Sequence, residues 1–490
     1  MGLYFSTWIF FANSVMNLAV SPRIFWSRPA FPVSCSRDLW QLFFRISQAQ
    51  QQFRQKQVRQ IQIKITMLKE MKAETLALLI VGAGPAGLAA ALAAAEEGCP
   101  ALLLESQGEA GQKLRLTGGG RCNISNLAAD DFAHDHYYGQ AAFLRPAFRA
   151  LSPEALREHC QRRGLPLVCE EGVRLYPRDG GAEAVRSFLL RRARELGVQL
   201  RCRQKALALK TSPEGILLQS EKQTYLARAL ILCGGGASFP QTGSDGSALE
   251  LLTSLGCGFR PFTPALTGFP LKNAPGSDLQ GLVFKDAELR FNLPSSRSRR
   301  AAASFRGDIL LTASGLSGPP VLNLSRELSE EGASFSISLL PDEKESSLIP
   351  HLLSLAHENG RTLCRNLPWP ALPRKLRAVA LQHCGVDPDK QGANFSREEA
   401  ARLASILLEK RLELGSRPPL RSAMLSRGGL LLEELNPRSM ALRKDPRIFV
   451  AGELLDIDGE CGGFNLQAAF ASGYLAGKSA ATLLKGRSCP

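Results

Sequence analysis

Continuously apolar runs of strand length punctuate the chain, and several of them end directly on glycine. Residues 77–81 run into Gly82-Ala83-Gly84-Pro85-Ala86-Gly87, an alanine-rich stretch then reads as a helix to Glu97, and Leu102 to Leu104 form a second run that ends on Glu105. Runs with no polar alternation predict strands buried on both faces. Residues 229–233 repeat the device before Gly234-Gly235-Gly236 and lead into a helix over 247–255, and residues 447–451 repeat it before Gly452. Elsewhere the pattern changes. Residues 153–200 read as two helices around the extended segment 173–177. From Phe259 to Leu340, short alternating segments such as 282–293 and 334–340, separated by Pro, Gly and Ser, predict a small β-rich, barrel-like domain. Residues 343–415 carry helical periodicity and read as a cap, with Ser396 and Glu399 spaced as a capping box ahead of the run 400–414.

The first glycine turn has a specific chemistry. Gly82 lets the chain leave its strand in a tight turn, Gly84 lets backbone approach a pyrophosphate, and Gly87 lets the helix pack closely. Pro85 and Ala86 start a helix whose free N–H groups favour phosphate. Glu105 stands 18 residues after Gly87, where an acid accepts hydrogen bonds from a ribose. Together these form a βαβ dinucleotide-binding unit. The span 76–95 is 20 residues without a charge, but its glycines and proline argue against a bilayer helix. Farther on, Gly118-Gly119-Gly120-Arg121-Cys122-Asn123 is a loop whose backbone can lie against a ligand, with a guanidinium for phosphate or an oxyanion.

With 490 residues, 44% hydrophobic and 21% charged, the chain has room for two or three domains. Its formal charge of +15 is unevenly placed: residues 1–75 hold ten Lys/Arg against three Asp/Glu. That extension reads as disordered or as a mis-assigned start, with Met67 and Met71 just before the first strand, and no stable membrane insertion is expected. The arginines between Arg145 and Arg194, and the run Ser296 to Arg300, are candidate contacts for a polyanion such as RNA. Twelve scattered cysteines with no CxxC pair suit a cytoplasmic setting and argue against a disulfide framework or zinc site; no metal is expected.

The opening fingerprint, the stretch Lys113 to Asn126, and three later stretches, Gly234 to Gly246, Gly315 to Pro319 and Ala451 to Gly473, together resemble the BaiN/RdsA-type FAD-dependent oxidoreductases, often labelled aminoacetone-oxidase-family flavoproteins. The resemblance spans residues 76–486. It implies an α/β architecture: a two-dinucleotide-binding-type, Rossmann-like FAD domain, discontinuous over residues 76–258 and 421–490, with the barrel-like insert at 259–342 and the helical cap at 343–420. It places Lys113, Thr117, Gly118, Gly119, Arg121, Cys122, Asn123, Gly234 and Gly235 at the cofactor. Gly452 and Glu453 approach its ribityl and phosphate part, and the helix from Gly463, with Asn465 and Leu466 in its first turn, points its N-terminus at the flavin. Two positions depart from many relatives: Ala237 replaces a Lys, and Ala313 replaces a His.

Without a second nucleotide fingerprint, NAD(P)H would bind only transiently as electron donor. The implied activity is reduction of an electron-poor C=C bond, in uridine of ribosomal RNA or in an unsaturated oxo-steroid or other small enone. Proton-donor candidates are Cys461, Cys122 and Tyr176, followed by Ser314 and Asp458. Two other classes remain open at this point: an oxidase of amines such as aminoacetone that uses oxygen, and a flavin-bearing RNA-binding protein without turnover. Sequence leaves the oligomeric state unknown.

Overall fold

The computed structural model describes residues 73–129, 136–138, 141–292, 302–326, 334–416 and 418–486. The extension up to residue 72 and the basic run Ser296 to Arg300 lie outside the described residues. Contacts divide the chain into Met1–Thr66 and Met67–Pro490, and all the described residues belong to the second unit.

The apolar runs form one sheet. Strand β1 (Glu74–Val81) leads into α1 (Pro85–Glu96) and β2 (Leu102–Leu104), which lies parallel to β1. Helix α2 (Gly181–Glu195) returns the chain to β3 (Gln199–Arg201), parallel to β2. A hairpin, β4 (Ala206–Ser212) and β5 (Gly215–Ser220), then delivers β6 (Thr224–Leu232). Strand β6 pairs with β1 in parallel along its length, which puts Val81 beside Leu232 and brings both glycine turns to one edge. Strands β2 and β14, and the ends of β1 and β6 that lead to the glycine turns, are buried, so those segments are wholly apolar, whereas the edge strand β3 is exposed and largely polar.

Helix α3 (Ser247–Ser254) follows, and β7 (Phe259–Ala265) carries the chain out of this sheet. Next come β8 (Val283–Asn292), β9 (Ala302–Leu311), β10 (Gly315–Ser317) and β11 (Ser334–Ser338). Three helices, α4 (Glu345–Glu358), α5 (Arg374–His383) and α6 (Arg397–Leu408), precede β12 (Lys410–Leu412). Strand β13 (Leu425–Leu430) pairs antiparallel with β7 and returns the chain. Strand β14 (Ile448–Val450) rejoins the first sheet parallel to β6, and α7 (Phe464–Leu484) closes it. Helices α1 and α7 approach closely because small residues face each other: a Cβ on Gly473 would lie 2.1 Å from the Ala86 carbonyl oxygen, and one on Gly477 2.2 Å from that of Ala90.

The insert differs from the barrel and cap read from sequence. Its six strands form an antiparallel sheet in the order Phe269–Pro270, β10, β9, β8, β11, β12. This is a half-barrel; among the described residues its two edges meet at one bridge, Leu271 to Leu414. The helices back this sheet: Leu348, Leu352, Leu403 and Leu407 share one core with Phe284, Leu289, Ile309 and Phe335. An apolar helix stripe is used up once it packs on a sheet, and residues 343–415 contribute nothing to the cavity described below. The capping box of α6 forms as its spacing predicts, the Ser396 hydroxyl accepting from the Glu399 N–H at 3.2 Å while the Glu399 carboxylate accepts from the Ser396 N–H at 2.8 Å.

Candidate active site

A cavity of about 450 Å³ opens where β1, β6 and β14 end, lined by Gly82, Gly234, Gly235 and Gly452. The glycines of the first turn have separate tasks. Gly82 holds φ at +96°, and a Cβ there would lie 2.4 Å from the Cys233 carbonyl oxygen. Gly84, Pro85 and Ala86 line the cavity, and a Cβ on Gly84 would meet nothing within 4 Å, which leaves its backbone open to a phosphate. Gly87 faces the other way and does not line the cavity; its Cβ would strike the Gly82 carbonyl oxygen at 1.8 Å. Glu105 is buried yet reaches the cavity. Its carboxylate accepts from the Ala83 N–H at 3.0 Å and the Gln107 N–H at 2.9 Å, which ties the acid to the turn it serves.

A polar network forms part of the cavity wall, which Lys113 and Glu453 line. Lys113 Nζ donates to Glu453 Oε2 and to the Ser238 hydroxyl, both at 2.6 Å. Glu453 Oε1 accepts from the Ser426 N–H at 2.9 Å and from the Ser426 hydroxyl at 2.8 Å. The pair is largely enclosed, with 22% and 16% of the side chains exposed, so each charge depends on the other. The sequence motifs named Lys113 and Glu453, but not the serines that complete their hydrogen bonds. Beside the pair, Thr117 donates to the Leu114 carbonyl at 2.6 Å, and Gly118 and Gly119 take left-handed conformations that bend the loop along the cavity wall.

At the far end α7 presents its N-terminus, with Gly463, Asn465 and Leu466 lining the cavity. Gly463 has φ +96°, and a Cβ would lie 2.5 Å from the Ser125 carbonyl oxygen. Asn123 also lines the cavity, and its Oδ1 is buried without a hydrogen-bond partner in the protein. Cys461 and Tyr176 face the same space. Burial pushes the Cys461 thiol up, against an opposing pull from Arg174, and burial likewise raises the Tyr176 hydroxyl. Both therefore hold their protons at neutral pH and can donate them. Leu266, Leu322 and Leu425 pack as a small apolar cluster against Cys461, and Pro319 and Met424 extend that wall.

Besides Gly87, two residues expected at the cofactor do not line the cavity. Arg121 pairs with Glu170 at 2.5 Å and stacks over the Tyr176 ring at 4.4 Å, and it does not line the cavity. Cys122 is wholly buried in the core, with φ +59°, and burial pushes its thiol up to about 11; it does not line the cavity. Among the other donor candidates, Asp458 is held by Arg326 at 2.8 Å, and neither it nor Ser314 lines the cavity. The apolar wall and Glu460 escaped the sequence reading, because the leucines of the wall come from separate segments and carry no motif, and the partner of Glu460, His136, lies 324 residues away.

These residues fit an extended dinucleotide with a redox-active ring. The open backbone at Gly84, the acid at Glu105, the unpartnered Asn123 oxygen and the α7 N-terminus line one cavity. A family model described as the HI0933-like protein Rossmann domain matches residues 76–479. The chain belongs to this family. It is 29% identical to the 3-dehydro-bile acid delta(4,6)-reductase of Clostridium scindens, over 82% of this chain and 98% of that protein. It is 28% identical to the ribosomal RNA dihydrouridine synthase of Escherichia coli, over 81% of this chain and 96% of that protein. Among solved structures it is similar to a 3-ketosteroid-delta4-(5alpha)-dehydrogenase from Rhodococcus jostii RHA1, with a TM-score of 0.40 and 17% identity over 85% of this chain and 98% of that one. The family member described here is accordingly a nucleotide-binding oxidoreductase of the flavoprotein class, as its motifs imply. Among the described residues no helix is long and apolar enough to cross a membrane.

Proposed function

We propose that the protein is an FAD-dependent reductase that adds a hydride and a proton across an electron-poor C=C bond, with NAD(P)H as transient electron donor. In this reading residues 76–258 and 421–490 hold the cofactor, and the insert at 259–342, backed by the helices of 343–420, supplies the substrate wall. Bound FAD would supply the hydride. The observation that carries the reading is the shared cavity of two protonated donors, Cys461 and Tyr176, with the glycine fingerprint and the α7 N-terminus. Free N–H groups at that terminus would stabilise negative charge developing on an adjacent ring. Gly84 and Lys113 orient the phosphates, Glu105 the ribose, and Cys461 delivers the proton.

The apolar wall of Leu266, Leu322 and Leu425 favours a small enone with an apolar body, such as the unsaturated oxo-steroid implied by the reductase relative. A second reading, uridine in ribosomal RNA, is favoured by the formal charge of +15 and by the dihydrouridine synthase relative. Local acids take up part of that charge: Arg186 pairs with Glu183 and Glu109, Arg192 with Glu195, and Arg163 with Glu96.

The test is to purify the flavoprotein, follow bleaching of its visible spectrum by NADH or NADPH under nitrogen, and then add an unsaturated oxo-steroid or unmodified ribosomal RNA. Reoxidation by the steroid, with saturated product, establishes the enone reductase. Reoxidation by RNA with dihydrouridine in its digest establishes the second reading, whereas turnover of aminoacetone with oxygen and no nicotinamide requirement would overturn both.

A further inference from the structure

Beside Cys461, Glu460 is the only other residue of its turn that bears a titratable side chain into the cavity among the described residues. It is not loose. Glu460 Oε2 and His136 Nδ1 lie 3.0 Å apart, and the Glu460 N–H donates to the His136 carbonyl at 2.9 Å. The imidazole stacks on Phe464, the first residue of α7, with centroids 4.4 Å apart and planes 20° from parallel. Asn465 Nδ2 donates to the carbonyls of Gly459 and Glu460, and Asn323 Oδ1 accepts from the Cys461 N–H at 2.7 Å, so the whole turn is clamped. Exposure falls inward, from 38% of the His136 side chain to 16% for Glu460. A clamped His–carboxylate pair thus stands between solvent and the cavity that the half-buried Cys461 thiol also lines.

We propose that Glu460, held by His136, is the positioning residue that keeps Cys461 supplied with its proton. The proposal rests on the reductase reading above. In the reaction the Cys461 S–H bond breaks and its proton goes to the substrate carbon next to the one that takes the hydride. The thiolate left behind regains a proton that the Glu460 carboxylate relays from the His136 ring, which is refilled from water. No electrons move in these steps. The charged and titratable groups around Cys461 are Glu460 on its own turn, Arg174 with its partner Glu171, Tyr176 across the cavity, and the Arg326–Asp458 pair just before it; the other side is the apolar wall.

Two measurements on the full-length flavoprotein test this. The first needs no turnover: the rate of iodoacetamide alkylation at Cys461, read by peptide mass spectrometry at neutral pH. A nearby carboxylate penalises the thiolate, so Glu460→Gln should alkylate severalfold faster than the unsubstituted protein. The second is single-turnover reduction of the enone. Glu460→Gln and His136→Gln should slow the proton-dependent step with KM unchanged and a raised solvent deuterium isotope effect, and added imidazole should rescue His136→Gln. Unchanged alkylation in Glu460→Gln overturns the proposal, as does a His136→Gln defect that imidazole does not relieve and that slows flavin bleaching equally. Faster alkylation in a protein that reduces neither an enone nor uridine in RNA would uphold the Glu460–Cys461 coupling and overturn the reductase reading instead.

Discussion

Gly84 and Gly87 belong to one motif and stand three residues apart, yet the space around them assigns opposite consequences to the same added methyl group. At Gly84 the methyl enters open cavity at an extended backbone, so Gly84→Ala should hold stability within about 0.5 kcal/mol while weakening FAD binding, read by flavin retention on dialysis. At Gly87 it strikes backbone, and Gly87→Ala should lose about 1–3 kcal/mol in urea unfolding of the apoprotein. Cys461 is the other decisive position. Replacing it with Ala should cost about 10²–10⁴-fold in the proton-transfer step, with flavin reduction preserved. Because burial raises this thiol, it stays protonated past the ordinary thiol value of about 8.5. Single-turnover rates should therefore hold through that pH and fall only above it; a fall centred below it would remove Cys461 as donor.

At the scale of elements, the Lys113–Glu453 pair ties the short helix Gln112–Arg115 to the turn after β14. Removing one partner leaves the other charge enclosed with only serines to satisfy it. Lys113→Met should destabilise the apoprotein by about 1–3 kcal/mol, less than a fully buried pair because both ends keep some solvent. The double variant with Glu453→Gln should recover part of that loss, since it leaves no unpaired charge. The cap of α6 tests the insert alone: Ser396→Ala should cost about 1 kcal/mol without altering the flavin spectrum.

Across the whole molecule, two separate cores share one chain. The cofactor turns sit on the core of the parallel sheet, whereas Trp369 is buried in the core of the half-barrel and its helices, its ring 5.0 Å from Phe395. In a chain begun at Met67, Trp369 is the sole tryptophan, so its fluorescence reports the insert while flavin absorbance reports the other core. FAD at about 100 times its dissociation constant should stabilise the sheet core by about 2.7 kcal/mol. In urea the flavin transition should move upward with added FAD, and the Trp369 transition should move less. Equal shifts of both signals would mean that the two cores unfold as one.

The sequence by itself determined the cofactor turn. From Ala77 to Glu105 every requirement is local: a buried strand, glycines at fixed offsets, a helix start and a second strand, all set by backbone conformation within a few residues. The same held for the capping box at Ser396 and for the strands that end at Gly234 and Gly452. Tertiary structure alone decided what each loop side chain faces. Arg121 went to Glu170 and Cys122 into the core, although both sit in the glycine loop, because the direction of a loop side chain depends on what packs beneath it. The partners of Lys113 and Glu460 lie 340 and 324 residues away, and a helical pattern can mark an apolar stripe without saying which surface covers it. Conformation is encoded along the chain; charge pairing, burial and the wall opposite the cofactor arise only when distant segments meet.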